Sequence, residues 1–166
     1  YTGSQGAPDH SRYSRKFLPS SIIAPPGSPN DTLITDTVNY PSSHASKLIG
    51  PDAFTSAVRV PFHQLTLRDH AWVKAEWRVK VTARPFQGSF VHTMEHKGLS
   101  YAYDGRDLES FDPKPGEWAT FSTWYLTPEV RSVEDPFVAY FWSRDTSAIL
   151  VEGPHITVYE PLSGPD

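Results

Sequence analysis

Between residues 53 and 160, apolar side chains recur at every second position in one short run after another. The clearest run is His70 to Ala83. Val73, Ala75, Trp77, Val79 and Val81 share one parity, and Trp72, Lys74, Glu76, Arg78, Lys80 and Thr82 share the other. Strand side chains point to opposite faces in turn, so the first set belongs in a core and the second in solvent. A helix would need apolar spacings of three and four residues, which this run lacks. Ala53 to Phe62 alternates in the same way, with Phe54, Ser56, Val58, Val60 and Phe62 on one side. Gly88 to Met94 and Gly98 to Tyr103 predict two more strands, and Asp104-Gly105 reads as a tight turn after them. Trp118 to Leu126 and Phe137 to Ser143 predict strands on either side of an acidic, turn-like stretch, Pro128 to Pro136, with a single helical turn over 128–133 as the alternative. The last run, Ile149 to Val151 and His155 to Glu160, is interrupted by Gly153-Pro154. Trp77 and Trp118 are expected in the core.

The first quarter of the chain differs. Residues 1–12 are polar. Pro19, Pro25, Pro26, Pro29 and Pro41 break any helix across 19–43. This stretch predicts a long loop packed on the rest, holding one short strand at Leu33 to Val38. About eight short strands separated by turns predict an all-β, two-sheet antiparallel β-sandwich or jelly roll with a proline-rich N-terminal extension. At 166 residues, 1–166 is expected to be a single domain.

Composition narrows the chemistry. There are no cysteines, which removes disulfides, thiolate metal sites and a Cys nucleophile. The formal charge of −4 argues against broad electrostatic capture of nucleic acid. No apolar run approaches the ~20 residues that a membrane-spanning helix needs. Residues Tyr1 to Gly6 are not a basic region followed by an apolar core. Oligomeric state is not readable from these features.

Gly116-Glu117-Trp118 opens a strand that ends in Leu126-Thr127-Pro128. Tyr140-Phe141-Trp142-Ser143 follows, then Ile149-Leu150-Val151-Glu152 and Ile156-Thr157-Val158-Tyr159-Glu160. With Ser43-His44-Ala45-Ser46-Lys47-Leu48 upstream, this order resembles the galactose-binding-like jelly rolls shared by many carbohydrate-binding modules, over about residues 43–160. The resemblance implies a non-catalytic, extracytoplasmic domain that binds glycan by aromatic stacking and needs no cofactor. In that family an acidic pair in the last strand can help hold a structural calcium. Here it is reduced to Glu152-Gly153-Pro154, which leaves one acid of the pair for such a calcium.

Sugar recognition needs flat aromatic faces and a few convergent polar groups. The solvent-side set Trp72, Glu76 and Arg78, joined by Trp124 and Trp142 on neighbouring strands, is the first candidate. The plain alternative is a solvated face with cross-strand ion pairs, or an outer sheet covered by 19–43. Tyr101, Tyr103 and Asp104 at a loop end are the second candidate, against a hairpin with a charged tip. His92 and His96 lie four apart on a predicted strand, so they do not converge on a metal ion. Among Glu76, Glu95, Glu109, Glu117, Asp104 and Asp107, spacing does not reveal the carboxyl separation that a glycosidase needs. No Gly-x-Ser-x-Gly elbow or phosphate loop is present. Two other readings stay open: a small jelly-roll glycoside hydrolase or polysaccharide lyase, and a structural or protein-interaction domain of a cell-surface protein.

Overall fold

The computed structural model describes residues 13–17, 31–33, 44–55, 57–66 and 70–161. Among the described residues, eleven strands form two antiparallel sheets. They are β1 (Tyr13–Phe17), β2 (Asp31–Leu33), β3 (His44–Leu48), β4 (Ala53–Phe54), β5 (Val58–Pro61), β6 (Trp72–Val81), β7 (Gly88–His96), β8 (Leu99–Asp107), β9 (Ala119–Leu126), β10 (Pro136–Ser143) and β11 (Ile149–Pro161). The first sheet runs β2-β3-β11-β6-β9, with β1 also paired to β11. The second runs β4-β10-β7-β8, with β5 also paired to β10. One helical turn, α1 (Phe62–Leu65), follows β5. Among the described residues no helix is long and apolar enough to cross a membrane. The architecture is the β-sandwich that the alternating runs predict.

The sandwich closes because one parity of each long strand is apolar. Val73, Ala75, Trp77, Val79 and Val81 of β6 are all buried, as their spacing requires. They meet Phe90 and Met94 of β7 and Phe137, Ala139 and Phe141 of β10 in one core cluster. Phe90 sits at its centre, with ring centroids 4.9 Å from Trp77, 5.2 Å from Phe141, 5.5 Å from Phe111 and 6.4 Å from Phe121. Such tilted and edge-on pairs are the favoured aromatic geometries.

Four local expectations are corrected. The predicted strand over Ala53 to Phe62 is two strands. Between them Thr55 leaves the ladder, donating its N–H to the Phe141 carbonyl (3.1 Å) and accepting the Phe141 N–H on Oγ1 (2.9 Å). The break shifts the phase, so Phe54 pairs with outward Trp142 while Val58 and Val60 face the core. Asp104-Gly105 is not a turn. Both residues lie inside β8, paired with His92 and Val91 of β7, so the ladder carries the backbone straight through. Residues 128–133 form a loop without a helical turn. Trp118 is half-buried rather than in the core, because it precedes β9 and lies outside its ladder. Of the predicted strand at Leu33 to Val38, only Leu33 falls in β2. Residues 34–38, like most of 1–43, lie outside the described residues.

The interruption at Gly153-Pro154 is a bulge inside one continuous β11, where the register against β6 shifts between Glu152 and His155. Gly153 has φ +113°, and a Cβ there would lie 2.7 Å from the Glu76 carbonyl oxygen. That conformation is strained for any side chain, and the neighbouring atom is backbone that cannot step aside. Gly153→Ala is therefore expected to lower stability by more than about 1 kcal/mol in urea melts. An unchanged midpoint would refute this account of the bulge.

Candidate functional site

In β10, Phe137, Ala139 and Phe141 point to the core, which sends Val138, Tyr140 and Trp142 to the outer face of the second sheet. The register places Trp142 between Phe54 of β4 and Ser89 of β7. Phe54 stacks on Trp142 with centroids 6.0 Å apart and planes 11° apart, and meets Tyr140 edge-on at 5.8 Å. The Trp142 indole N–H donates to Asp52 Oδ1 (3.3 Å). On β8, the Tyr103 ring lies against Gly105, where a Cβ would come within 3.4 Å of it. Val91, Thr93 and Val138 have outward parity yet are buried on this aromatic face. The tops of the rings remain open: Phe54 is 45% exposed and Tyr103 54%.

Hydrogen-bonding side chains frame these rings. Arg59 pairs with Glu95 at 2.7 Å. The Arg144 guanidinium lies 4.7 Å from the Trp142 ring centroid and donates to Ser89 Oγ (3.0 Å). Ser89 in turn donates to Asp107 Oδ1 (3.0 Å). Partial burial raises the Tyr103 and Tyr140 hydroxyls above their usual range, so both remain protonated donors. Phe54, Tyr140, Arg59 and Arg144 were missed in the sequence. Trp142 and Tyr103 were singled out there, but their neighbours could be found only through strand pairing.

The first sheet carries a separate outward row. Trp72, Lys74, Glu76 and Arg78 of β6 face Leu126, Trp124, Ser122 and Thr120 of β9 in register. Trp124 packs against Trp72 (6.4 Å) and against Tyr159 of β11 (5.3 Å), with Lys74 Nζ 5.5 Å from its ring. Glu152 pairs with Arg78 at 3.7 Å and with His155. The Glu152 carboxylate raises the His155 pKa above the usual value. The structure thus brings together Trp72, Glu76, Arg78 and Trp124. It puts Trp142 on the other sheet, because parity along a strand does not say which sheet the strand joins. Tyr159 belongs to this row, and the shared parity of His155, Thr157 and Tyr159 was its sequence signal.

Tyr101, Tyr103 and Asp104 do not form one loop-end site. A bulge at Ala102, with φ +52°, sets two residues of β8, Ala102 and Tyr103, against Thr93 alone. It turns Tyr101 and Asp104 inward and leaves Tyr103 outward. The Tyr101 hydroxyl donates to Asp135 Oδ2 (2.5 Å), and His96 Nδ1 lies 2.8 Å from Oδ1. Burial raises the Asp135 carboxyl, but the Tyr101 and His96 hydrogen bonds outweigh it and hold the group low.

Asp104 faces the interior. Its Oδ2 lies 3.7 Å from His92 Nδ1, and His92 Nε2 lies 2.7 Å from Thr123 Oγ1. Hydroxyl, imidazole and carboxylate in that order repeat the layout of an acyl-transfer triad. No substrate reaches it, since His92 and Thr123 are both buried. Thr123 Oγ1 also already accepts the Trp77 indole N–H (2.9 Å). Burial pushes the His92 pKa down to about 3, with the Arg106 charge adding to the effect against a backbone hydrogen bond at Asp104. The row is a buried polar knot. Among the described residues no group of three His, Asp or Glu is placed to hold a metal ion.

No family model matches the chain, and no curated protein matches it in sequence. Solved structures do. The enzymatically active domain of tailspike protein 4 from bacteriophage CBA120 aligns over 93% of this chain and 20% of its own, with TM-score 0.53 and 11% identity. The arabinose-bound α-L-arabinofuranosidase MgGH51 aligns over 95% of this chain and 28% of its own, with TM-score 0.50 and 12% identity. The CBM22-2 xylan-binding domain from Paenibacillus barcinonensis Xyn10C aligns over 79% of this chain and 92% of its own, with TM-score 0.48 and 12% identity. The chain therefore spans about a fifth of the tailspike domain and just over a quarter of the arabinofuranosidase. At these identities the likeness is one of fold.

Proposed function

We propose that this domain binds glycan on the outer face of the second sheet, by stacking sugar rings on its aromatic side chains, and does not cleave it. The observation that carries this reading is the outward row of Phe54, Tyr140, Trp142 and Tyr103, exposed at Phe54 and Tyr103 and framed by paired charged side chains. A sugar ring presents an apolar C–H face and a rim of hydroxyls. Aromatic rings match the first, and Arg59, Glu95, Asp107 and the tyrosine hydroxyls match the second. Such a site is shallow, so affinity for a few sugar units is modest after ordering and desolvation are offset. Glycans of this kind lie outside cells, which supports an extracytoplasmic setting.

A binding role also fits the acids. A glycosidase needs a carboxyl with a raised pKa. Three carboxyls lie below their usual range: Arg84 lowers Glu109, backbone N–H groups of Ser147 and Gln87 lower Asp145, and Asp135 is held low. The row of Trp72, Trp124 and Tyr159 is the second reading, favoured by the contacts of Trp124 with both other rings beside Glu76 and Arg78.

Calorimetric titration with soluble cello-, xylo- and arabino-oligosaccharides separates the two faces. Phe54→Ala and Tyr103→Ala are expected to weaken binding by about tenfold or more, the effect of losing a ~1.4 kcal/mol contact, with little change in Tm. Trp72→Ala and Trp124→Ala are expected to leave affinity unchanged. The reverse pattern moves the site to the first sheet. New reducing ends in the same samples would overturn the non-catalytic reading.

A further inference from the structure

Both sides of the Trp142 indole are occupied, and by groups of different kinds. The register sets β4 on one flank of Trp142 and β7 on the other. From the β4 side comes the Phe54 ring, fixed by its position in the ladder and nearly parallel to the indole. On the β7 side lies the Arg144 guanidinium, 4.7 Å from the ring centroid and bound to Ser89 of that strand. Arg144 stands just beyond the last residue of β10, where its backbone N–H donates to the Gln87 carbonyl (2.9 Å), so any movement of the guanidinium is a side-chain rotation about a fixed backbone. Its further ion pair, to Asp107 at 3.6 Å, involves a carboxylate side chain that is 73% exposed. Exposed pairs and exposed cation–π contacts are individually weak.

We propose that Arg144 is a displaceable cover on the glycan site: its guanidinium occupies the Trp142 face that a sugar ring takes, and ligand binding swings it aside. This rests on the reading of the second sheet's outer face as the glycan site. Arg144 thereby sets affinity, because part of the stacking energy is spent on moving it. It also sets preference. A displaced guanidinium needs acceptors, so ligands with a ring oxygen or hydroxyl beside the stacked sugar replace what Ser89 and Asp107 supplied. The Phe54 side of the indole stays closed throughout.

The test uses the whole chain with cellohexaose and xylohexaose as probes. Arg144→Ala is expected to bind the better probe about three- to tenfold more tightly than wild type. Ser89→Ala, which removes one tether of the guanidinium, moves affinity the same way by less. Unchanged or weaker binding by Arg144→Ala would overturn the cover. A second readout is the indole N–H signal of Trp142 in 1H–15N spectra, assigned with Trp142→Phe. It is expected to shift in Arg144→Ala without ligand, and in wild type on saturation. A probe that saturates the protein while this signal stays still overturns the cover and leaves the glycan reading standing. Failure of both probes to bind wild type and both variants overturns the glycan reading, and this inference with it.

Discussion

Mild acid is expected to destabilise the wild-type protein far more steeply than a His92→Gln variant. His92 is buried, and burial holds its pKa near 3 in the fold against 6.5 in an open chain. Between those values the unfolded chain carries a proton that the folded chain refuses. Stability therefore rises with pH across this window and is lost as pH falls below about 6.5. Each pH unit is worth about 1.4 kcal/mol, so the group removes on the order of 4 to 5 kcal/mol between pH 7 and pH 3. That is a large fraction of the stability of an ordinary domain. Glutamine keeps an N–H for Thr123 and has no proton to gain. Asp135, Glu109 and Asp145 also lose stabilising contacts in acid, but they do so equally in both proteins. Urea melts at pH 7, 5.5 and 4 measure the difference. Parallel pH profiles for wild type and variant would refute the burial account of His92.

Phe90→Ala is expected to cost about 3 to 5 kcal/mol, with Tm falling by roughly 10 °C. Phe90 belongs to β7 of the second sheet, yet its ring meets Trp77 of β6 and Phe121 of β9 in the first. Truncation leaves a void walled by four aromatic rings that cannot all collapse into it. Phe90→Leu, which keeps most of the volume, is expected to lose less than half as much. Thermal and urea denaturation of both variants check the ratio. A loss below about 1 kcal/mol for alanine would mean that the two sheets do not rely on this ring.

The strands were legible where one parity was wholly apolar. Trp72–Val81 alternates without exception, so both its extent and its buried face follow from hydrophobic periodicity. Phe137 to Ser143 is apolar on both parities, and its pattern says only that both sides are covered. What covers the outer side, Phe54 and the Arg144 guanidinium, comes from residues distant in sequence or beyond the strand. The bulges were not legible. Ala102 adopts φ +52° without a glycine to announce it, while Asp104-Gly105 has the composition of a turn and lies mid-strand. A Cβ at Gly105 would meet the Tyr103 ring only at ordinary contact distance, so the pairing with Val91, and not any demand for glycine, sets this stretch as strand. The separation of Trp124 from Trp142 has the same origin, since sheet membership depends on pairings between segments far apart in the chain.

β11 pairs with β6 along one edge and, successively, with β3 and β1 along the other. Its last residues, 157–161, hold Tyr13–Phe17, so the two ends of the described chain are neighbours in the same sheet. During synthesis, β1, β3 and β6 all leave the ribosome before the strand that joins them exists. The first sheet therefore has no centre until β11 has emerged, and its assembly waits on loop closures of long range, the slow class of folding event. In the interval, the apolar face of β6 has no finished layer to lie in, and its protection falls to whatever the cell supplies.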